Sequence, residues 1–116
     1  MSIRPIRTAA AVALLALAPA ALAQPQGNAD AGSKKASMCQ GCHGVEGYRI
    51  AYPAVYAVPR LGGQHPQYIV AALQAYKRGE RPYATMRSIA ASLSDQDMAD
   101  LAAYYGQGAQ RSAMAK

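Results

Sequence analysis

Cys39-Gln40-Gly41-Cys42-His43 decides how the rest of this sequence is read. The two thiols stand three residues apart, at what reads as a helix end, so they can face one way. An imidazole follows at once. A disulfide would suit an oxidising compartment but gives His43 no role. A redox-active Cys-x-x-Cys goes with a βαβ pattern, which the flanking sequence lacks. Zinc takes four ligands. Cys39, Cys42, His43 and His65 are all the cysteine and histidine in the chain, and adjacent Cys42 and His43 do not fit zinc-finger spacing.

The remaining chemistry is covalent haem c. Cys39 and Cys42 would each add to a vinyl group along one porphyrin edge. His43 would then project under the ring and give Nε2 to iron. The composition agrees. The 116 residues allow one domain at most, and they include no Phe and no Trp. Ala is abundant and large aliphatic side chains are few. A core this thin needs a staple or a cofactor to fill it.

Residues 1–23 differ from the rest. Arg4 and Arg7 precede an apolar run, residues 8–18, and Ala21-Leu22-Ala23 is a small-x-small site. This pattern reads as a secretory signal peptide cleaved after Ala23. The run is too short to span a bilayer, which takes about 20 apolar residues, and Pro19 interrupts it. Residues 24–106 then form the domain and 107–116 a flexible tail. Cleavage leaves ten Lys and Arg against six Asp and Glu. This mild positive charge suits acidic partner proteins. The charges are scattered and the chain is exported, which argues against nucleic acid.

The elements read as all-α. Asn28 or Asp30 can cap a first helix that runs to about Cys39, with the small Gly32 suited to close helix contact. Residues 41–63 read as a long loop rich in Gly and Pro, of the kind that wraps a cofactor. Pro66 opens a second helix with an apolar stripe of Tyr68, Ile69, Ala72, Leu73 and Tyr76. Lys77, Arg78 and Gly79 close it. Residues 86–92 can form a short helix. Ser94-Asp95-Gln96-Asp97 resembles a capping box and opens a last helix, with Met98, Leu101, Ala102 and Tyr105 inward and Gly106 as its stop. No strand is expected.

The sixth iron ligand sets the chemistry, because His/Met ligation favours electron transfer and an open site favours gas binding or catalysis. Met38 is too close to Cys39 to reach the far haem face, Met98 sits on an apolar stripe, and Met114 is in the tail. Met86 follows a Pro-containing connector and is the first choice, with His65 as the alternative. The Nδ1–H of His43 needs an acceptor, for which the Pro59 carbonyl is a candidate. Tyr48, Tyr52, Tyr56, Arg49 and Arg60 are available to the propionates.

With these residues in view, the sequence resembles the class I c-type cytochromes. It is most similar to the small bacterial periplasmic group whose domains occur singly or as halves of di-haem cytochromes. The matching residues are Cys39-Gln40-Gly41-Cys42-His43-Gly44, Pro59-Arg60-Leu61-Gly62-Gly63-Gln64, Tyr68, Tyr76-Lys77-Arg78-Gly79-Glu80-Arg81, Met86, Leu93-Ser94-Asp95-Gln96-Asp97 and Leu101-Ala102-Ala103-Tyr104-Tyr105. The resemblance implies three or four helices and long loops around one haem, with the first and last helices crossing. It implies Met86 as axial ligand and Pro59 as acceptor for His43. The Tyr-rich stretch 48–58 and Gly62, where the family often has Ala, depart from the pattern.

The expected function is that of a periplasmic one-haem electron carrier between redox proteins, not an enzyme, with no stable membrane insertion after cleavage. A dedicated cytochrome subunit of a periplasmic dehydrogenase or oxidase is the alternative. A haem-based gas sensor is the third.

Overall fold

The computed structural model describes residues 23–52 and 55–114, with side chains described as far as Gln107. The expected leader lies outside the described residues except for Ala23. The elements in chain order are α1 (Ala29–Lys35), α2 (Ser37–His43), β1 (Arg49–Ile50), β2 (Tyr56–Ala57), α3 (Pro66–Lys77), α4 (Ala84–Ala91) and α5 (Asp95–Met114). Among the described residues, no helix is long and apolar enough to cross a membrane.

Asn28 starts α1, its side chain accepting from the Ala31 N–H at 3.0 Å. Ala36 joins α1 to α2 in a right-handed helical conformation and is fully buried. The expected first helix therefore runs on to His43, with a break after its second turn.

Small residues let α1 pack on α5. A Cβ on Gly32 would strike the Asp100 carbonyl, and one on Gly27 would strike that of Ala99. Asp100 is 3% exposed. Its carboxylate accepts from the Asn28 N–H at 2.8 Å, the Lys35 ammonium at 2.7 Å and the Gln96 amide at 2.9 Å. Three donors around one buried acceptor offset the cost of taking its charge out of water.

The other side of α5 meets α3. Ile69, Val70, Leu73, Leu93, Met98, Leu101 and Ala102 form the core. The last helix is thus buried on two flanks, of which the sequence stripe showed one.

Ser94 and Asp97 form the expected capping box. The Asp97 N–H donates to Ser94 Oγ at 3.0 Å, and the Ser94 N–H donates to Asp97 Oδ2 at 2.9 Å. At the end of α3, Gly79 takes φ +79°, and the Glu80 N–H returns to the Ala75 carbonyl at 2.9 Å. A left-handed residue there caps the helix, and glycine takes that conformation without steric cost.

Three expectations need correction. Gly106 does not end the last helix, which continues to Met114. Gly106 is buried against the Pro66 ring, where any Cβ would collide, so the glycine serves close packing. The stretch 41–63 is not wholly a loop without strands. Arg49 pairs with Ala57 and Ile50 with Tyr56 in a two-residue antiparallel ladder. Lastly, α4 begins at Ala84, which places Met86 inside its first turn.

Candidate functional site

Cys39, Cys42 and His43 all lie on α2. Spacings of three and four residues put all three on one helix face. That face lines a cavity of about 430 Å³, within the roughly 300–1,000 Å³ typical of cofactor sites. Both thiols are half-buried and unpaired.

The cavity gathers side chains from every other element except α1. Ile69 and Leu73 of α3, Leu93, and Leu101 of α5 supply apolar surface from the core. Ile50 and residues 56–61 bring the hairpin and the extended segment that follows it. Tyr83, Thr85, Met86 and Ile89 come from α4 and its approach. Tyr83 and Tyr56 pack with ring centroids 5.0 Å apart, which joins the α4 side to the hairpin. Arg81 lies 4.5 Å above the Tyr76 ring.

His43 ends its helix, and its Nδ1 lies 2.5 Å from the Pro59 carbonyl oxygen. Donation from Nδ1–H to that oxygen selects the tautomer whose Nε2 lone pair is free for a metal. Beside the same loop Arg60 and Glu46 stand 3.6 Å apart, both largely exposed. An exposed pair of this kind adds little stability.

Cys39, Cys42, His43, Pro59 and Met86 all line this one cavity. Met38 also borders it but is half-exposed, whereas Met98 is fully buried in the core. His65 is exposed at the start of α3 and is not part of the lining. The Met114 side chain lies outside the described ones. Of the polar residues suggested for propionates, Tyr56 and Arg60 border the cavity, while Tyr48, Arg49 and Tyr52 do not.

Sequence reading missed Arg81, Tyr83 and the buried hydroxyl of Tyr105. Tyr105 sits on the apolar stripe of α5 and packs against the core. Its hydroxyl, however, is buried without a hydrogen-bond partner. Burial pushes that hydroxyl up to about 12, and burial also raises the neighbouring Cys39 thiol. No periodicity marks which end of a tyrosine meets a cavity.

These residues fit covalent haem. Two unpaired thiols, a histidine with a constrained tautomer and an apolar hollow share one space. A small core and an unsatisfied hydroxyl border it. Both are features that a large apolar group with polar edges would complete.

Known proteins agree. The family model "Cytochrome c" matches residues 29–107. Cytochrome c4 of Pseudomonas aeruginosa is 39% identical over 92 residues, which cover 79% of this chain and 44% of that protein. Cytochrome c-554(548) of Halomonas halodenitrificans is 42% identical over 82 residues, covering 68% of this chain and 94% of the relative. The crystal structure of reduced recombinant cytochrome c4 from Pseudomonas stutzeri superimposes with a TM-score of 0.55 at 35% identity, over 69% of this chain and 45% of that one. The chain spans about half the length of the cytochromes c4 it matches. Matched by the family model over most of its length, and covering nearly all of one relative, the chain belongs to the cytochrome c family and carries covalently bound haem c.

Proposed function

We propose that this chain is an exported, periplasmic carrier of single electrons with one His/Met-ligated haem c. The observation that carries the reading is the convergence of Cys39, Cys42, His43 and Met86 on one apolar cavity. Cys39 and Cys42 anchor the ring through thioethers. His43 offers Nε2 because its Nδ1 faces Pro59, and Met86 offers its sulfur from the first turn of α4. The group supplies an Fe(II)/Fe(III) couple, and no substrate bond is made or broken.

Ile69, Leu73, Leu93 and Leu101 keep water from the buried side of the ring. Burial and a methionine ligand both raise the potential. With residues 1–23 removed after Ala23, the mild positive charge steers acidic redox partners into brief encounters.

The test is carbon monoxide binding by the reduced protein. The parent should resist the gas, because Met86 holds the sixth position. Met86→Ala should bind it readily. A parent that binds carbon monoxide as fast as the variant would move the protein toward a sensor.

A second reading, a dedicated subunit of a larger periplasmic complex, is favoured by the hairpin. Tyr52, Val55 and Tyr56 are 86%, 64% and 53% exposed. Apolar side chains grouped in this way mark contact surfaces. Isolation as a stable stoichiometric complex would support that reading, and a free monomer would support the carrier.

A further inference from the structure

The Tyr-rich stretch 48–58 departs from the family pattern, and the haem chemistry described above gives its rings no task. Tyr48 and Tyr52 do not border the cavity, whereas Tyr56 does. The backbone fixes Tyr56 in place. It pairs with Ile50 across the antiparallel ladder, and just beyond it the Val58 N–H donates to the Tyr48 carbonyl at 2.9 Å. Directly opposed residues share one face of a sheet, and Ile50 and Tyr56 both line the cavity. Three residues further on, the Pro59 carbonyl meets His43 Nδ1 at 2.5 Å.

The helix that carries Met86 is anchored unevenly. At its far end Ala90 is fully buried, with Leu93 buried just beyond. At its near end Ala84, Thr85 and Arg87 are exposed. Tyr83 precedes the helix in an extended conformation and makes no side-chain cap hydrogen bond. A helix start without such a cap gives up a stabilising contact to its first N–H groups. The Tyr83 ring packs instead on the Tyr56 ring, with centroids 5.0 Å apart and planes inclined at 56°. That spacing lies within the range of favourable aromatic pairs. Tyr83 stands three residues before Met86, at the head of the turn that carries it.

We infer that Tyr56 is a positioning residue: through the Tyr83 ring it braces the first turn of α4 and so keeps the Met86 sulfur on the haem iron. Segment 56–59 then serves both axial ligands. Tyr56 braces the methionine side, and the Pro59 carbonyl orients His43. The inference rests on the reading of Met86 as sixth ligand. Local opening of a weakly anchored turn is cheaper than global unfolding. Entry of an outside ligand to the iron therefore reports how firmly that turn is held.

The experiment measures carbon monoxide binding by the reduced holoprotein in the parent, Tyr56→Leu, Tyr83→Leu and the double variant. Loss of the ring pair should speed binding roughly threefold to tenfold, the scale of one aromatic contact. Tyr56→Phe keeps the ring and should restore the slow rate of the parent. The double variant should be no faster than the faster single one, because both changes break the same contact. Effects that multiply independently would overturn the inference. So would a Tyr56→Leu protein with a lowered Tm but the parent's binding rate, because the ring would then only stabilise the hairpin. If Tyr56→Leu yields no holoprotein, Tyr83→Leu against Tyr83→Phe carries the same test from the other ring. Met86→Ala separates the two claims. A parent that binds the gas as fast as Met86→Ala would sink the ligand reading, and the brace with it. A parent and a Tyr56→Leu protein that resist equally would sink the brace alone.

Discussion

The Nδ1 of His43 and the carbonyl oxygen of Pro59 lie 2.5 Å apart across sixteen residues of chain. The contact joins the end of α2 to the segment that follows the hairpin. Its acceptor is a backbone atom, which any residue at position 59 would provide. What proline adds is a fixed φ. Pro59→Ala should therefore keep the iron–methionine charge-transfer band and lose only about 0.4–1 kcal/mol by denaturant titration, through greater freedom of the unfolded chain. Loss of the band in this variant would show that the proline ring does more than hold the carbonyl.

Asp100 is the polar centre of the α1–α5 interface. Asp100→Ala removes the acceptor shared by the Asn28 N–H, the Lys35 ammonium and the Gln96 amide. The expected loss is about 1–3 kcal/mol in a urea melt, the range for hydrogen bonds to a charged group.

The same network predicts acid lability. Lys35 beside Asp97 and Asp100, with further hydrogen bonds from Ser94 and Asn28, holds both carboxyls below the usual carboxylate range. A depressed carboxyl stabilises the fold at pH values above its unfolded pKa. That contribution fades as pH falls from about 4 through the folded values. The Lys35 ammonium is raised by the same partners, so its share is lost only at strongly alkaline pH. Melts between pH 5 and pH 2 should show a steep loss of Tm in the parent and a flatter one in Asp97→Asn. Equal slopes would remove the network from the account.

Glycines distinguish close packing from open surface. Gly32→Ala forces a methyl onto the Asp100 carbonyl and should cost about 1–3 kcal/mol. Gly41 lies inside α2 with nothing within 4 Å of a Cβ. Gly41→Ala should be neutral or gain up to about 1 kcal/mol from helix propensity. Thermal melts of the two variants should therefore move in opposite directions, or one should not move.

Much of this was legible because local chemistry is repetitive. Pro66, Gly79 and the Ser94–Asp97 box mark helix ends through rules that act over four residues. The stripe at Ile69 and Leu73 shows one face of α3. The missed features are tertiary. Two-residue strands are too short to show alternation, so the pairing of Ile50 with Tyr56 left no signal. Gly106 looks like a stop until the Pro66 ring is seen against it. Buried Asp100 looks like a solvated acid until Asn28 and Lys35 arrive from α1. Within the site, residues 39–43 carry a motif and Met86 follows a connector, so the sequence could name them. Arg81 and Tyr83 join the cavity only when α4 folds back on α3.

The most direct test of the account is the proton NMR spectrum of the reduced holoprotein. A methionine on haem iron lies in the ring current, so its methyl resonance moves far upfield of the other methyls. The account predicts one such three-proton resonance in the parent, retained in Met38→Ala and absent from Met86→Ala. No upfield methyl in the parent, or its loss in Met38→Ala alone, would contradict His43/Met86 ligation and the electron carrier built on it.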